Sequence, residues 1–278
     1  MSEATESFTA VVLAGRRGPS DAFADALTAA DAASHHSLLD VAGVPMLLRV
    51  VRALQLAPSV GRIVVSIDDP SVLEGVPELR ACLVDGSLAC RTALDSPSRS
   101  VLDALAAAEP DEKVLVVTAD HALLTAEMVE HFTAEATGDL SLALVPAAVV
   151  RAGYPGSKRT FIRLRGGGYS GANLFAFCTP RARRAAEFWQ RAEQFRKQPW
   201  KLARAFGPVS LLLFLARRLD LRAALERMSR SVGAQLTAVL MPWPEAAIDV
   251  DRPADLALVN AILAERARAS GPRTAPPS

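Results

Sequence analysis

The sequence predicts an α/β fold around a mostly parallel, doubly wound sheet, and three observations carry that prediction. Short apolar runs rich in β-branched residues recur at Phe8 to Ala14, Arg62 to Ile67, Val114 to Thr118 and Leu140 to Val145, the pattern of strands buried on both faces. Stretches with apolar residues at helical spacing separate them, at Pro45 to Leu56, Ser100 to Ala108 and Ala126 to Ala136. The first run enters a loop that holds Gly15, Gly18 and Pro19, and strands that alternate with helices in this way pair in parallel.

The remaining elements follow from the same periodicities. Leu83 and Val84 read as a further short strand. Phe161 to Arg165 and Tyr169 to Phe177 flank Gly166, Gly167 and Gly168 and read as a small antiparallel insertion or edge. Arg181 to Arg196 is a charged helix, and Pro199 to Gly233, including the apolar Val209 to Leu215, continues as helix, so a helical insertion is expected over about residues 181–233. Gln235 to Met241 returns as a strand and Asp255 to Arg268 closes as a helix. One domain is expected over residues 1–269, with a Pro- and Ser-rich tail, Ser270 to Ser278, expected to be disordered.

Composition narrows the function classes. Half of the 278 residues are hydrophobic, enough for a substantial core. The 31 basic and 30 acidic side chains nearly cancel, which gives no charge argument for a nucleic-acid groove. Cys82, Cys90 and Cys178 form neither a zinc knuckle nor a disulfide framework, and a reducing cytoplasm is the expected location. Met1 to Thr9 lacks the pattern of a signal peptide, and no run reaches the roughly 18 apolar residues that would span a bilayer. A peripheral membrane contact through Phe188, Trp189, Phe195, Lys197, Trp200 and Lys201 is compatible with the letters, although ordinary helix packing accounts for them too.

In open parallel sheets ligands sit beyond the carboxyl ends of the strands, so chemistry is expected after Leu13, Ile67 and Thr118. Leu13-Ala14-Gly15-Arg16-Arg17-Gly18 can turn main-chain N–H groups toward phosphates while two guanidinium groups supply charge, or it can be a plain turn with solvated arginines. Asp120 follows the strand that ends at Thr118 and faces the crevice, where Mg²⁺ held on phosphate oxygens needs only one or two protein carboxylates; its alternative is the N-cap of the next helix. Asp249 and Asp251 share one side of an extended segment, a self-repelling pair unless a cation lies between them. Asp255, just beyond, reads as a cap.

Taken in order, Gly15 to Gly18, the segment Ser37-Leu38-Leu39-Asp40-Val41-Ala42-Gly43-Val44-Pro45-Met46-Leu47, Asp120, and Asp249 to Leu256 resemble the GT-A-like nucleotidyltransferase superfamily, including the molybdenum cofactor guanylyltransferases and the methylerythritol phosphate cytidylyltransferases. The resemblance covers about residues 8–265. It implies a Rossmann-like sheet of GT-A type, a first glycine loop around NTP phosphates, and Mg²⁺ on Asp120 together with Asp249 or Asp251. It implies further that Ser96, Ser98 and Ser100 hold the base as in cytidylyltransferases, with CTP preferred and GTP next. Lys158 and Asn173 match the region that receives the acceptor. Two departures stand out: Arg16 replaces a second glycine, and His36 replaces the lysine that neutralises the triphosphate, so Arg16 or Arg17 must supply that charge.

The expected reaction is transfer of a nucleoside monophosphate from an NTP to a phosphorylated small-molecule or lipid acceptor, with release of pyrophosphate. Asp120 with Asp249 or Asp251 would hold the metal, and Arg16 and Arg17 would face the leaving group. His121 is expected at a helix start or behind the site, with no role as base. Two rivals remain at this stage, a GT-A glycosyltransferase using a nucleotide sugar and a non-catalytic nucleotide-binding relative.

Overall fold

The computed structural model describes residues 7–15, 33, 35–156, 159–194, 216 and 218–270. In chain order its elements are β1 (Phe8–Leu13), β2 (Asp40–Val41), β3 (Val44–Pro45), α1 (Met46–Gln55), β4 (Val60–Ile67), α2 (Pro77–Asp85), β5 (Leu88–Thr92), α3 (Pro97–Ala107), β6 (Lys113–Thr118), α4 (Ala126–Glu135), β7 (Leu140–Pro146), α5 (Ala147–Gly153), β8 (Ile162–Leu164), β9 (Gly167–Phe177), α6 (Arg183–Gln194), α7 (Leu221–Val232), β10 (Leu236–Leu240) and α8 (Pro253–Ser270).

Among the described residues the main sheet has eight strands in the order β10-β7-β9-β6-β1-β4-β5, with β8 on β9. The β1, β4, β5 and β6 ladders are parallel, as is β10 on β7, while β9 runs against β6, β7 and β8. The α/β class, the mostly parallel sheet and the Rossmann-like architecture expected from the sequence are therefore present. Successive β1 residues enter opposite cores: Ala10 and Val12 join Leu47, Val51, Leu54, Met128 and Phe132 from α1 and α4, whereas Val11 joins Val101, Ala185, Ala186 and Val232 on the far face. A strand apolar on both sides is what two helical layers require.

Phe132 lies fully buried on α4 in the first of these cores. Phe132→Ala removes a ring that neighbouring elements cannot fully collapse upon, and is expected to cost about 3–5 kcal/mol of unfolding free energy. Urea unfolding checks this, and a loss below about 1 kcal/mol would mean that the site can repack.

Three sequence expectations are corrected. Leu83 and Val84 belong to helix α2, and the strand lies five residues later at Leu88–Thr92. The antiparallel insertion around the glycine turn is present, with β9 inside the sheet between β6 and β7 and β8 paired to it. Helix α3 begins at Pro97, one turn before Ser100, because Ser96 caps it and proline suits the first helical position. Residues 218–220 are non-helical, so the expected helix from Pro199 to Gly233 is interrupted before α7. Val209 to Leu215 and the tail after residue 270 lie outside the described residues. No described helix is long and apolar enough to cross a membrane.

Candidate active site

The parallel ladders align the exits of β1, β4, β5 and β6 along one edge of the sheet. Leu13 lies opposite Ser66 on β4 and Thr118 on β6. The ladder continues one step further, because Ala14 N–H donates to Ser66 O (2.8 Å), Ala119 N–H to Leu13 O (3.0 Å) and Ala93 N–H to Ile67 O (2.9 Å). Gly15, Asp68, Leu94 and Asp120 are the residues that leave the sheet at this edge. Leu13 and Ala14 are thereby committed to strand pairing, and Gly15 is the first residue of the glycine loop clear of it.

Gly15 is required by crowding. A Cβ built there would lie 2.6 Å from the Ala93 Cβ and 4.0 Å from Asp68 Oδ1. Arg16, Arg17 and Gly18 lie outside the described residues, as does Lys158.

Asp120 is buried at the end of β6 and accepts a short hydrogen bond from Thr118 Oγ1. It does not cap the next helix, since Thr125 does so by accepting from Met128 N–H (3.2 Å). The extended segment before α8 is tied to this loop by Val250 N–H donating to Asp120 O (3.0 Å). Ile248 and Val250 bury their side chains with Val41, Met46 and Leu123, which turns the alternate residues Asp249 and Asp251 outward. Asp120, Asp249 and Asp251 each offer an oxygen, all within 4.8 Å of one another, in an arrangement that can hold a metal ion. The all-oxygen donor set and the mutual repulsion of the three carboxylates suit a hard divalent cation.

Two neighbours hold Asp249, Asn173 and Arg159. Asn173 Nδ2 donates to Asp249 Oδ2 (3.2 Å). The expectation that Asn173 serves the acceptor is thus modified: its amide supports a carboxylate of the acidic cluster. A register shift of β9 against β7 between Leu142 and Leu144, and the positive φ of 52° at Asn173, turn it that way. Arg159 donates to Asp249 Oδ1, to the Asp249 main-chain oxygen (2.9 Å) and to Asp255 Oδ1 (3.1 Å). Asp255 therefore pairs with Arg159 and is more than a cap. Burial lowers the Arg159 pKa from its ordinary value, and the charges of Asp255, Asp251 and Asp120 oppose that shift.

His121 has neither ring nitrogen hydrogen-bonded and is 1% exposed. Burial, aided by Arg159, pushes its pKa down to about 4, so the ring is neutral near pH 7.

The histidine pair divides differently from the sequence expectation. His36, expected at the triphosphate, is a partly exposed member of a short 3₁₀ turn, His36–Leu38. His35 is the buried one: its Nδ1 accepts from Ser37 N–H (3.2 Å), which leaves Nε2–H to donate to Asp68 Oδ1 at 2.9 Å. Neither His35 nor Asp68 was foreseen as a site residue, although Asp68 is a carboxylate directly after a buried strand, the same signal that revealed Asp120.

Each of the serines expected at the base has a protein partner. Ser96 caps α3, Ser100 Oγ accepts from Leu94 N–H (2.9 Å), and Ser98 is wholly buried, its hydroxyl bonded to Glu193 of α6. Ser98 is corrected on this ground, because no face of it is open to a ligand. Trp189 stacks on Phe175 with ring centroids 6.1 Å apart, in agreement with ordinary packing of that aromatic stretch.

The chain's resemblance to known proteins agrees with this geometry. The sequence model of the MobA-like NTP transferase domain matches residues 10–240. A hypothetical transferase from Thermus thermophilus is 30% identical with a TM-score of 0.72, over 90% of this chain and 99% of that one. CMP:2-keto-3-deoxy-manno-octonic acid synthetase complexed with CTP shares the fold at 15% identity and a TM-score of 0.52, over 93% of this chain and 99% of that one. So does 4-diphosphocytidyl-2C-methyl-D-erythritol synthase from Anaerococcus prevotii DSM 20548, at 13% identity and 0.56, over 94% and 99%. No curated protein matches the chain at a significant level. With the family match running from β1 to β10, this chain belongs to the MobA-like NTP transferase domain family and is a nucleotidyltransferase.

Proposed function

We propose that the enzyme is magnesium-dependent and moves a nucleoside monophosphate from an NTP, CTP before GTP, to a phosphorylated small-molecule or lipid acceptor, releasing pyrophosphate. The observation that carries this reading is the meeting of Asp120, Asp249 and Asp251 at the carboxyl edge of the sheet, one hydrogen-bonded step from the exit of β1. When bound there, Mg²⁺ would supply charge neutralisation at the phosphates. Gly15 would admit the triphosphate close to the main chain, and Arg16 and Arg17, next in sequence, would meet the leaving pyrophosphate as the acceptor's phosphate oxygen attacks in line. That oxygen is already ionised, so no general base is needed.

The preference for CTP rests on the resemblance of residues 96–101, and its basis shifts with Ser98 buried. The main chain of the turn after β5, held by Ser100 on Leu94 N–H, would meet the base instead. Lys158, next in sequence to Arg159, would meet the acceptor, and a lipid phosphate would add a peripheral membrane contact.

A thermal-shift screen of the four NTPs with Mg²⁺ tests the donor. A ligand at about 100 times its Kd stabilises the folded state by about 2.7 kcal/mol, several degrees for a chain of this size. CTP is expected to give the largest shift, with a smaller shift when Mg²⁺ is chelated. Equal shifts for all four NTPs would remove the base preference, and no shift for any would remove the NTP reading itself. Pyrophosphate release with a panel of sugar, polyol and lipid phosphates then identifies the acceptor.

A further inference from the structure

Arg159 is a cation already installed in the acidic cluster. Its side chain is 11% exposed and bonds Asp249 at both the carboxylate and the main-chain oxygen, with Asp255 as a third acceptor. It reaches Asp249 across 90 residues of sequence, and the charges of Asp251 and Asp120 also act on it. Both carboxylate oxygens of Asp249 are engaged by protein donors, Oδ1 by Arg159 and Oδ2 by Asn173. A metal ion that uses Asp249 must therefore share an oxygen with a donor and lie near a fixed guanidinium, which does not deprotonate in proteins.

We propose that Arg159 is a positioning residue that keeps the Asp120–Asp249–Asp251 cluster ordered without metal and weakens its hold on a free divalent cation, so that the ion is retained only with a nucleotide triphosphate. This rests on the metal-dependent reading above. The physical reason is charge balance. Three carboxylates within 4.8 Å of one another repel and, alone, would capture any divalent cation. The guanidinium offsets part of that charge and repels an incoming cation. The phosphates of an NTP add negative charge beside both, so the metal and the nucleotide each raise the other's affinity by the same factor. A site of this design does not load with metal before its substrate arrives.

Equilibrium dialysis against Mn²⁺, counting protein-bound metal with and without an equimolar mixture of the four NTPs and no acceptor, tests the proposal. Wild type is expected to bind Mn²⁺ weakly alone and at least about tenfold more tightly with nucleotide. Arg159→Gln is expected to bind Mn²⁺ without nucleotide at least about tenfold more tightly than wild type, with a smaller gain on adding NTP. Arg159→Lys, which keeps the charge, should stay near wild type. Should the glutamine variant fail to fold by circular dichroism, Arg159→Met provides an uncharged side chain of similar reach and reads the same way. Tightening in Arg159→Lys equal to that in the uncharged variant, or no tightening in the uncharged variant, overturns the proposal while leaving nucleotide-dependent Mn²⁺ uptake by wild type intact. Absence of uptake by wild type even with nucleotide refutes the metal reading, and this inference with it.

Discussion

Asp120→Ala is expected to lower pyrophosphate release by at least about a thousandfold, or about 4 kcal/mol of transition-state stabilisation. Asp120 is the buried member of the acidic trio, held at the end of β6 through Thr118, with Val250 N–H on its main-chain oxygen. Removing its carboxylate leaves Asp249 and Asp251 with no ligand on the β6 side. Asp120→Asn separates charge from shape, because the amide fills the same volume and can still accept from Thr118. Activity should fall nearly as far in this variant while the melting temperature holds close to wild type. Turnover within about tenfold of wild type in both variants would show that the reaction does not depend on this carboxylate.

Gly15→Ala is expected to weaken NTP binding without removing a charged group. The added methyl would lie 2.6 Å from the Ala93 Cβ, so the exit of β1 and the turn after β5 must move apart. Forced overpacking of this kind costs about 1–3 kcal/mol, and the movement falls on the two loops proposed to frame the nucleotide. If half of that strain is borne by the bound state, the affinity falls by about two- to twelvefold. Ala93→Gly removes the opposing methyl and should restore much of the affinity when combined with Gly15→Ala. Calorimetric titration of the single and double variants measures the coupling between them. If Ala93→Gly brings no recovery, the loss has a cause other than this contact.

Much of this site was legible because its signals are local. Asp120 ends a strand whose burial is written in Val114 to Val117, and Asp249 and Asp251 alternate with the buried Ile248 and Val250. The interior strands β1, β4 and β6 were legible for the same reason. What the sequence hid depends on pairing across distance. Strand β9 reads as an insertion or an edge, and its tyrosine and glycines do not say which, because β6 and β7 close on it from distant segments. Leu83 and Val84 read as strand from two apolar letters, yet they continue a helix begun by Pro77, while the true edge strand β5 contains Arg91 and Thr92.

The functional roles divided along the same line. The resemblance places Asn173 at the acceptor, and the fold brings both it and Arg159 to Asp249, contacts that no local pattern announces. Of two adjacent histidines the family pattern singles out His36, whereas packing buries His35 and pairs it with Asp68. A single sequence does not reveal which of two identical neighbours faces inward at a turn.

Crystals soaked with Mn²⁺ and CTP, examined by anomalous scattering, test the central claim most directly. The account predicts a manganese peak within coordination distance of Asp120 and at least one of Asp249 and Asp251, with the triphosphate beside Gly15. A triphosphate bound at Gly15 with its manganese remote from all three carboxylates would contradict it.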